Sequence, residues 1–341
     1  MRRWIARPLR LIALAALASA LAPWPAARAG AAPVVTQAGD GRSGALAVAH
    51  AGVGSSPAVA DGVQAAADAA FAALRGGASP LDAAIAGTVV MEDDPRFNAG
   101  TGANIRLDGK TIQMDASLMT SEGRFAAVGV IERVRNPIRV VRAVLDTPHL
   151  FLAGEGATRF AHKMGFEDIV PTCAEAEAKY AERLTKLVAA MGRPDTVVFD
   201  WPRHWNFPNP LPAALEDFAK GGDTVATIAR DRDGRFAATL STGGTSITLS
   251  GRIGDVPIYG AGLFAGPSGA VACTGHGEAI IKRFVARSVY DRIAAGVPAS
   301  DAVSEAVAAF PEDSEIGIIA IDASGWGVAA NKAMAYGVAG E

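Results

Sequence analysis

Cysteine is almost missing from this chain: Cys173 and Cys273 are the only two in 341 residues. Two thiols make no disulfide framework, so the fold must rest on its own core, and two free thiols are expected. The five histidines are scattered at positions 50, 149, 162, 204 and 276, and neither HExxH nor CxxC occurs. That argues against a zinc site. The apolar run Leu11–Ala22 falls short of the roughly 20 residues that span a bilayer. Acidic residues are missing from positions 1–29, which hold five arginines and end in Ala27-Arg28-Ala29. A basic start, a short apolar run and a small-residue site read as a secretory signal, cut after Ala29. Export to a bacterial periplasm is the expectation, with an N-terminal membrane anchor as the alternative. Removing those five arginines leaves 27 basic against 35 acidic residues, a net charge of −8. An excess of acid argues against nucleic acid or an anionic membrane as partner.

What is present is a glycine-rich, half-hydrophobic chain of alternating strand and helix signals. ALAVAH (45–50) reads as a strand, and 58–77 as an alanine-rich helix ended by glycines. A second helix over 79–94 has Ser79 as N-cap and Pro80 at the first helical position. Residues 103–119 read as a hairpin turning at Asp108-Gly109. A strand over 124–133 and short helices over 136–147 and 154–165 follow. Residues 173–222 differ: an exposed amphipathic helix is succeeded by a stretch rich in Pro and Trp with no period, which suits a long connection. Order resumes at Thr224 with two strands turning at Asp233-Gly234. A strand and helix through CTGHGEAII and a final hairpin over 314–331 complete the chain. Strands joined by hairpins, and helices in consecutive pairs, predict antiparallel sheets covered by helix pairs.

The stretch GGDTVATIAR (221–230) raises a chemical question. A turn followed by a strand explains it without function. A threonine hydroxyl is a poor nucleophile until a base takes its proton. Cleavage before Thr224 would free its own α-amine, whose ordinary pKa of about 7.7–8.0 suits a general base at working pH. The same hydroxyl could make that cut by attacking the Asp223 carbonyl, with Gly221 and Gly222 allowing the strained turn. Ser241-Thr242-Gly243-Gly244 ends the partner strand and brings a second hydroxyl near. GRIGD (251–255) presents Arg252 and Asp255, which suit a carboxylate and an ammonium; alone the pair also reads as a surface salt bridge. Thr274-Gly275 sits at a strand-to-helix junction, where a hydroxyl and a backbone N–H suit an oxyanion hole or serve as an ordinary cap.

Together these residues resemble the plant-type asparaginase / isoaspartyl peptidase family of N-terminal nucleophile hydrolases. GDTVATIA, STGG, GRIGDVPIYGAG and CTGHGEAII match in order, as do RFNAGTGA (96–103), MDASLM (114–119) and HLFLAGEGA (149–157). The match runs over about 45–170 and 222–335. The resemblance implies an α+β fold: a four-layer αββα sandwich with antiparallel sheets between helix layers. It implies autocleavage between Asp223 and Thr224 into an α-subunit (30–223, with the connector over about 173–223) and a β-subunit (224–341), one catalytic domain built from both, and a homodimer of such αβ pairs. By position, Thr224 is the nucleophile, Thr242 supports its hydroxyl and amine, and Asn98 orients nearby groups. Arg252 binds the substrate α-carboxylate, Asp255 the α-amine, and Thr274 with Gly275 forms the oxyanion hole. The loop 91–101 resembles one holding a structural sodium ion through main-chain oxygens, here Met91, Glu92, Asp94, Phe97, Ala99 and Thr101; no catalytic metal or organic cofactor is implied. The substrates implied are L-asparagine and β-aspartyl dipeptides. A glycosylasparaginase is the runner-up, and a non-processing exported binding protein the reading from another class. Departures are AHAGVG in place of a His-Gly-Gly run, Val256 after GRIGD, TSITLS without a lysine, and the connector.

Overall fold

The computed structural model describes residues 35–39, 44–190, 201–210, 224–311 and 313–341. The expected signal segment 1–29 lies outside the described residues, as do Gly221, Gly222 and Asp223.

A run such as VATIAR or IGIIAID is apolar at successive positions, which suits a strand covered on both faces. The strands bear this out. Seven of them form one sheet, in the order β12 (Met334–Gly340), β2 (Leu46–Val53), β6 (Val225–Arg230), β7 (Phe236–Thr242), β3 (Met114–Thr120), β4 (Phe125–Ile131) and β5 (Phe151–Ala153). Five form the other: β1 (Val35–Gly39), β11 (Trp326–Ala330), β10 (Ile316–Asp322), β9 (Gly269–Gly275) and β8 (Leu263–Gly266). All neighbours run antiparallel except β4 and β5. Every residue of β2, β3, β4, β6, β7 and β10 is buried.

The two sheets face each other through β6, β7 and β2 on one side and β8, β9 and β10 on the other. Ile228, Phe236 and Leu240 meet Val271, Ile318 and Ile319 in the core between them. Helices α1 (Ala60–Arg75), α2 (Pro80–Asp93), α3 (Pro137–Val144) and α4 (Gly154–Lys163) cover the seven-stranded sheet. Helices α8 (Val285–Ala294) and α9 (Ala299–Ala308) cover the five-stranded one. The fold is the expected αββα sandwich. Helix α2 starts as its sequence predicts: the Ser79 hydroxyl accepts the Asp82 N–H at 3.1 Å, with Pro80 following.

Three local expectations are corrected. The hairpin over 103–119 shrinks to one bridge, Ile105 with Ile112. Asp108 holds its turn by accepting from the N–H of Lys110 and Thr111 at 3.1 and 2.9 Å. Beyond it β3 pairs with β4 and β7 instead. The single helix expected after CTGHG is two, α7 (Gly277–Arg283) and α8, parted at Phe284 with φ +47°. The first amides of α8 explain the break, because Ala286 and Arg287 donate to Ala261 and Gly260 at 3.0 and 2.9 Å. Those donors have no partner within a helix start. Finally, the connector is anchored where it is described: helix α5 (Ala174–Ala190) and the turn α6 (Trp201–His204) precede Phe207, which is buried against Leu107 and Ile247.

Candidate active site

Thr224 is the residue before β6 and is buried. Val225 pairs with Ser241 across β6 and β7. One step back, the antiparallel register sets Thr224 opposite Thr242. The Thr242 hydroxyl accepts the Gly244 N–H at 3.0 Å. Asn98, also buried, fastens the same turn: its carbonyl accepts from Gly243 at 2.8 Å and its Nδ2 donates to the Gly244 carbonyl at 2.8 Å. A Cβ on Gly243 would lie 2.5 Å from the Asn98 Oδ1, so the first glycine of the pair is required by close approach. The structure thus brings Thr242 and Asn98 together at the turn that follows β7, on the side of Thr224.

On the other flank, β2 pairs with β6, and His50 stands opposite Ala226. Its Nδ1 lies 2.8 Å from the Ala51 carbonyl. Burial pushes the ring down to about 4, against the opposing effect of the Ala51 and Thr224 backbones, so it is neutral at working pH. Nε2 makes no regular hydrogen bond among the described residues.

Thr274 and Gly275 end β9 in the facing sheet, two residues before α7. The Thr274 hydroxyl accepts the Val53 N–H at 3.4 Å, which ties this corner to the strand carrying His50. Gly275 has φ +141°, and a Cβ there would meet the Glu315 carbonyl oxygen at 2.1 Å. No other residue fits. Gly277 then faces the candidate clamp: a Cβ on it would lie 3.0 Å from the Asp255 Oδ1 and 3.1 Å from the Arg252 Nη2. The oxyanion candidates and the clamp therefore share one corner.

Arg252 forks onto Glu278, with Nε and Nη2 donating at 2.9–3.0 Å. Asp255 is buried, its Oδ2 has no hydrogen-bond partner among the described residues, and burial pushes its carboxyl up to about 7 although the Arg252 charge pulls it down. That oxygen lies toward Gly262 and Leu240, whereas Oδ1 is the one turned to Gly277 and Arg252.

Sequence reasoning missed four supporting side chains. Glu278 sits within CTGHGEA but carried no role until Arg252 was seen to pair with it. Arg106 is fully buried and donates to the Thr248 hydroxyl at 2.6 Å and to the Gln113 and Arg252 carbonyls at 3.2 Å. Asp115, inside MDASLM, accepts the Val130 N–H at 2.7 Å, and burial raises its carboxyl against the pull of the Arg106 charge. Glu92 was named for its main chain alone, yet its buried side chain accepts from the Ser241 hydroxyl at 2.6 Å and the Ile138 N–H at 3.0 Å. Burial pushes that carboxyl up to about 8.

The loop 91–101 leaves α2 and folds around glycines. A Cβ on Gly100 would lie 2.3 and 2.8 Å from the Glu92 and Arg135 carbonyl oxygens, and one on Gly102 would lie 2.1 and 2.4 Å from those of Phe97 and Pro95. The Ala99 oxygen accepts from Gly102 at 3.3 Å, Thr101 lies in the short helical turn Gly100–Gly102, the Met91 side chain is in the core, and the Asp94 carboxylate pairs with Arg96. No cluster of three acidic, His or Cys side chains that could hold a metal occurs among the described residues. Crowded carbonyl oxygens are hard donors and suit a hard cation.

Both cysteines are free; Cys273 is buried and Cys173 half-buried. No helix among the described residues is long and apolar enough to cross a membrane.

Comparison with known proteins agrees with this geometry. A family model described as asparaginase matches residues 38–340. The plant-type L-asparaginases of Thermococcus kodakarensis and Pyrococcus furiosus are each 38% identical over 288 residues, covering 82% of this chain and 89% of theirs. The human isoaspartyl peptidase/L-asparaginase is 36% identical over 247 residues, 72% of this chain and 73% of its own. The match runs across nearly the whole described chain, and the chain belongs to the asparaginase family of N-terminal nucleophile hydrolases.

Proposed function

We propose that this chain is an autoprocessed amidohydrolase that hydrolyses L-asparagine and β-aspartyl dipeptides through a Thr224 acyl-enzyme. The observation that supports the reading is the juxtaposition of elements: β6 and β7, whose register sets Thr224 opposite Thr242, face β9, which carries Thr274 and Gly275, and the neighbouring Gly277 lies against Arg252 and Asp255. In this reading the Thr224 hydroxyl first attacks the Asp223 carbonyl, and hydrolysis of the resulting ester releases the Thr224 α-amine. In turnover the amine takes the hydroxyl proton as the oxygen attacks the substrate side-chain carbonyl. Thr242 supports the hydroxyl and amine, with Asn98 fixing the turn beside it. The Thr274 hydroxyl and Gly275 N–H receive the developing oxyanion. The amine returns its proton to the leaving nitrogen, and water, activated by the same amine, frees aspartate. Arg252 and Asp255 hold the α-carboxylate and α-ammonium, which sets the scissile carbonyl at a fixed reach from two opposite charges.

Other parts of the reading follow the same family frame. Residues 30–223 and 224–341 form the two chains of one domain, paired into a homodimer. Residues 1–29 direct export to a periplasm. The 91–101 loop holds a structural sodium ion through main-chain oxygens of Met91, Glu92, Asp94, Phe97, Ala99 and Thr101; a thermal midpoint that does not change when sodium replaces tetramethylammonium would contradict this.

Intact mass with N-terminal sequencing tests the central claim. A fragment beginning Thr-Val-Ala-Thr is expected from the parent and none from Thr224→Ala. Normal processing of that variant refutes the nucleophile. A panel of asparagine, β-aspartyl dipeptide and glycosylasparagine then ranks the substrates, and preference for the last moves the glycosylasparaginase reading to the front.

A further inference from the structure

The connector does more than join the two halves. The loop 245–252 runs from the Gly243-Gly244 turn to Arg252, and it is held from two sides. On the inner side Arg106 binds the Thr248 hydroxyl and the Arg252 carbonyl, and Gln113 accepts the Gly251 N–H at 2.8 Å. On the outer side the partner is the connector. Asn206 makes a two-way amide pair with Ser250: its Nδ2 donates to the Ser250 carbonyl at 2.8 Å, and its Oδ1 accepts the Ser250 N–H at 3.2 Å. Next to it, buried Phe207 covers Ile247 and Leu107, backed by the Trp205 ring at 4.7 Å. Ile247 has φ +57°. A β-branched residue holds that left-handed conformation only where its surroundings impose it. The connector residues are part of those surroundings.

We propose that Asn206 and Phe207 form a positioning clamp that sets the loop bearing Arg252 for the substrate α-carboxylate, and that the connector stays seated there after the chain is cut. The inference rests on the reading of Arg252 as the carboxylate binder. Neither residue touches substrate; each acts through the loop.

The test is steady-state kinetics on the fully cleaved enzyme with L-asparagine and a β-aspartyl dipeptide. Asn206→Ala and Phe207→Ala should cleave normally, keep kcat within about twofold, and raise KM roughly three- to tenfold, the scale of one or two net hydrogen bonds. Asn206→Asp keeps the acceptor for the Ser250 N–H but sets a carboxylate oxygen against the Ser250 carbonyl, so its KM should rise at least as far as in Asn206→Ala. In an Arg252→Ala background Asn206→Ala should add no further rise in KM, a coupling that mere loss of stability would not produce. KM at the parent value in both single variants, or the same fold-rise with and without Arg252, overturns the clamp. An Arg252→Ala enzyme whose own KM is unchanged overturns the carboxylate reading first, and the clamp with it.

Discussion

The pH dependence of substrate capture follows from two groups of opposite kind. On the proposed reading Asp255 must be ionised to hold the substrate ammonium, yet burial pushes its carboxyl up to about 7. The Thr224 amine must be neutral to accept a proton, and its ordinary value is about 7.7–8.0. Both protons have to leave before the free enzyme can act. Below pH 7, log kcat/KM should therefore fall with a slope of two. Between pH 7.5 and 5.5 Asp255 alone should account for roughly a 25-fold loss, since each proton follows its own titration curve. In the complex the bound ammonium keeps Asp255 charged, so kcat should fall with a slope of one. Asp255→Asn removes one of the two protons. Its kcat/KM should be lower throughout but should fall with a slope of one, on the amine alone. Initial rates at ten pH values for parent and variant give all four slopes. A parent kcat/KM limb of slope one, unchanged in Asp255→Asn, refutes Asp255 as the ammonium partner.

Glu92 offers a stability test with a definite sign. Its folded carboxyl is raised to about 8 from 4.5, so the folded state keeps a proton that the unfolded chain loses. The stability it contributes is present below about pH 4.5 and is lost as pH rises to about 8, by at most about 3 kcal/mol at pH 7. Glu92→Gln should flatten that decline in urea midpoints between pH 5 and 7, and equal declines in both proteins would refute it. Gly275→Ala should lose at least about 2 kcal/mol by overpacking and backbone strain. Gly123→Ala, with φ +84° but open space around it, should show a smaller drop in thermal midpoint; equal drops would mean that the Glu315 carbonyl yields. Arg252→Ala should be processed normally yet lose about 2 kcal/mol or more of substrate binding, seen as a higher KM. Activity should survive EDTA, and a reversible loss would point to a metal in the chemistry.

Signals that are local in sequence were legible. Ser79-Pro80 fixed the start of α2, Asp108-Gly109 and Asp233-Gly234 their turns, and continuous apolar runs the inner strands. What stayed hidden depends on partners far along the chain. Strand β12 reads MAYGVAG, with two glycines and a tyrosine, and becomes a strand because β2 offers it an edge. Strands β5 and β8 are three and four residues long, too short for any period. The left-handed Phe284 has no breaker beside it; its cause lies at the Gly260 and Ala261 carbonyls. Within the candidate site, motif residues suggested the chemistry. Their supports were invisible: Glu278 is 26 positions from Arg252, and Arg106 is 146 from the carbonyl it holds. Asn206 and Phe207 sat in a segment whose composition suggested only a linker.

Glu278 changes how selectivity at the Arg252 fork should be understood. In the free protein that fork already holds a carboxylate. Burial would raise the Glu278 carboxyl, but the Arg252 charge and its hydrogen bonds outweigh this and keep it ionised. Its side chain is 47% exposed, against 18% for Arg252. A carboxylate that can turn to water gives up little when it leaves, because an exposed ion pair is worth at most about 1 kcal/mol. On the proposed reading the substrate α-carboxylate therefore exchanges for Glu278, and the charge around Arg252 is the same before and after. An amide with an ammonium but no α-carboxylate gains nothing from that exchange and leaves Glu278 on the fork. The discrimination comes less from the attraction of Arg252, which is already satisfied, than from the geometry that lets one carboxylate at the correct distance from Asp255 replace another.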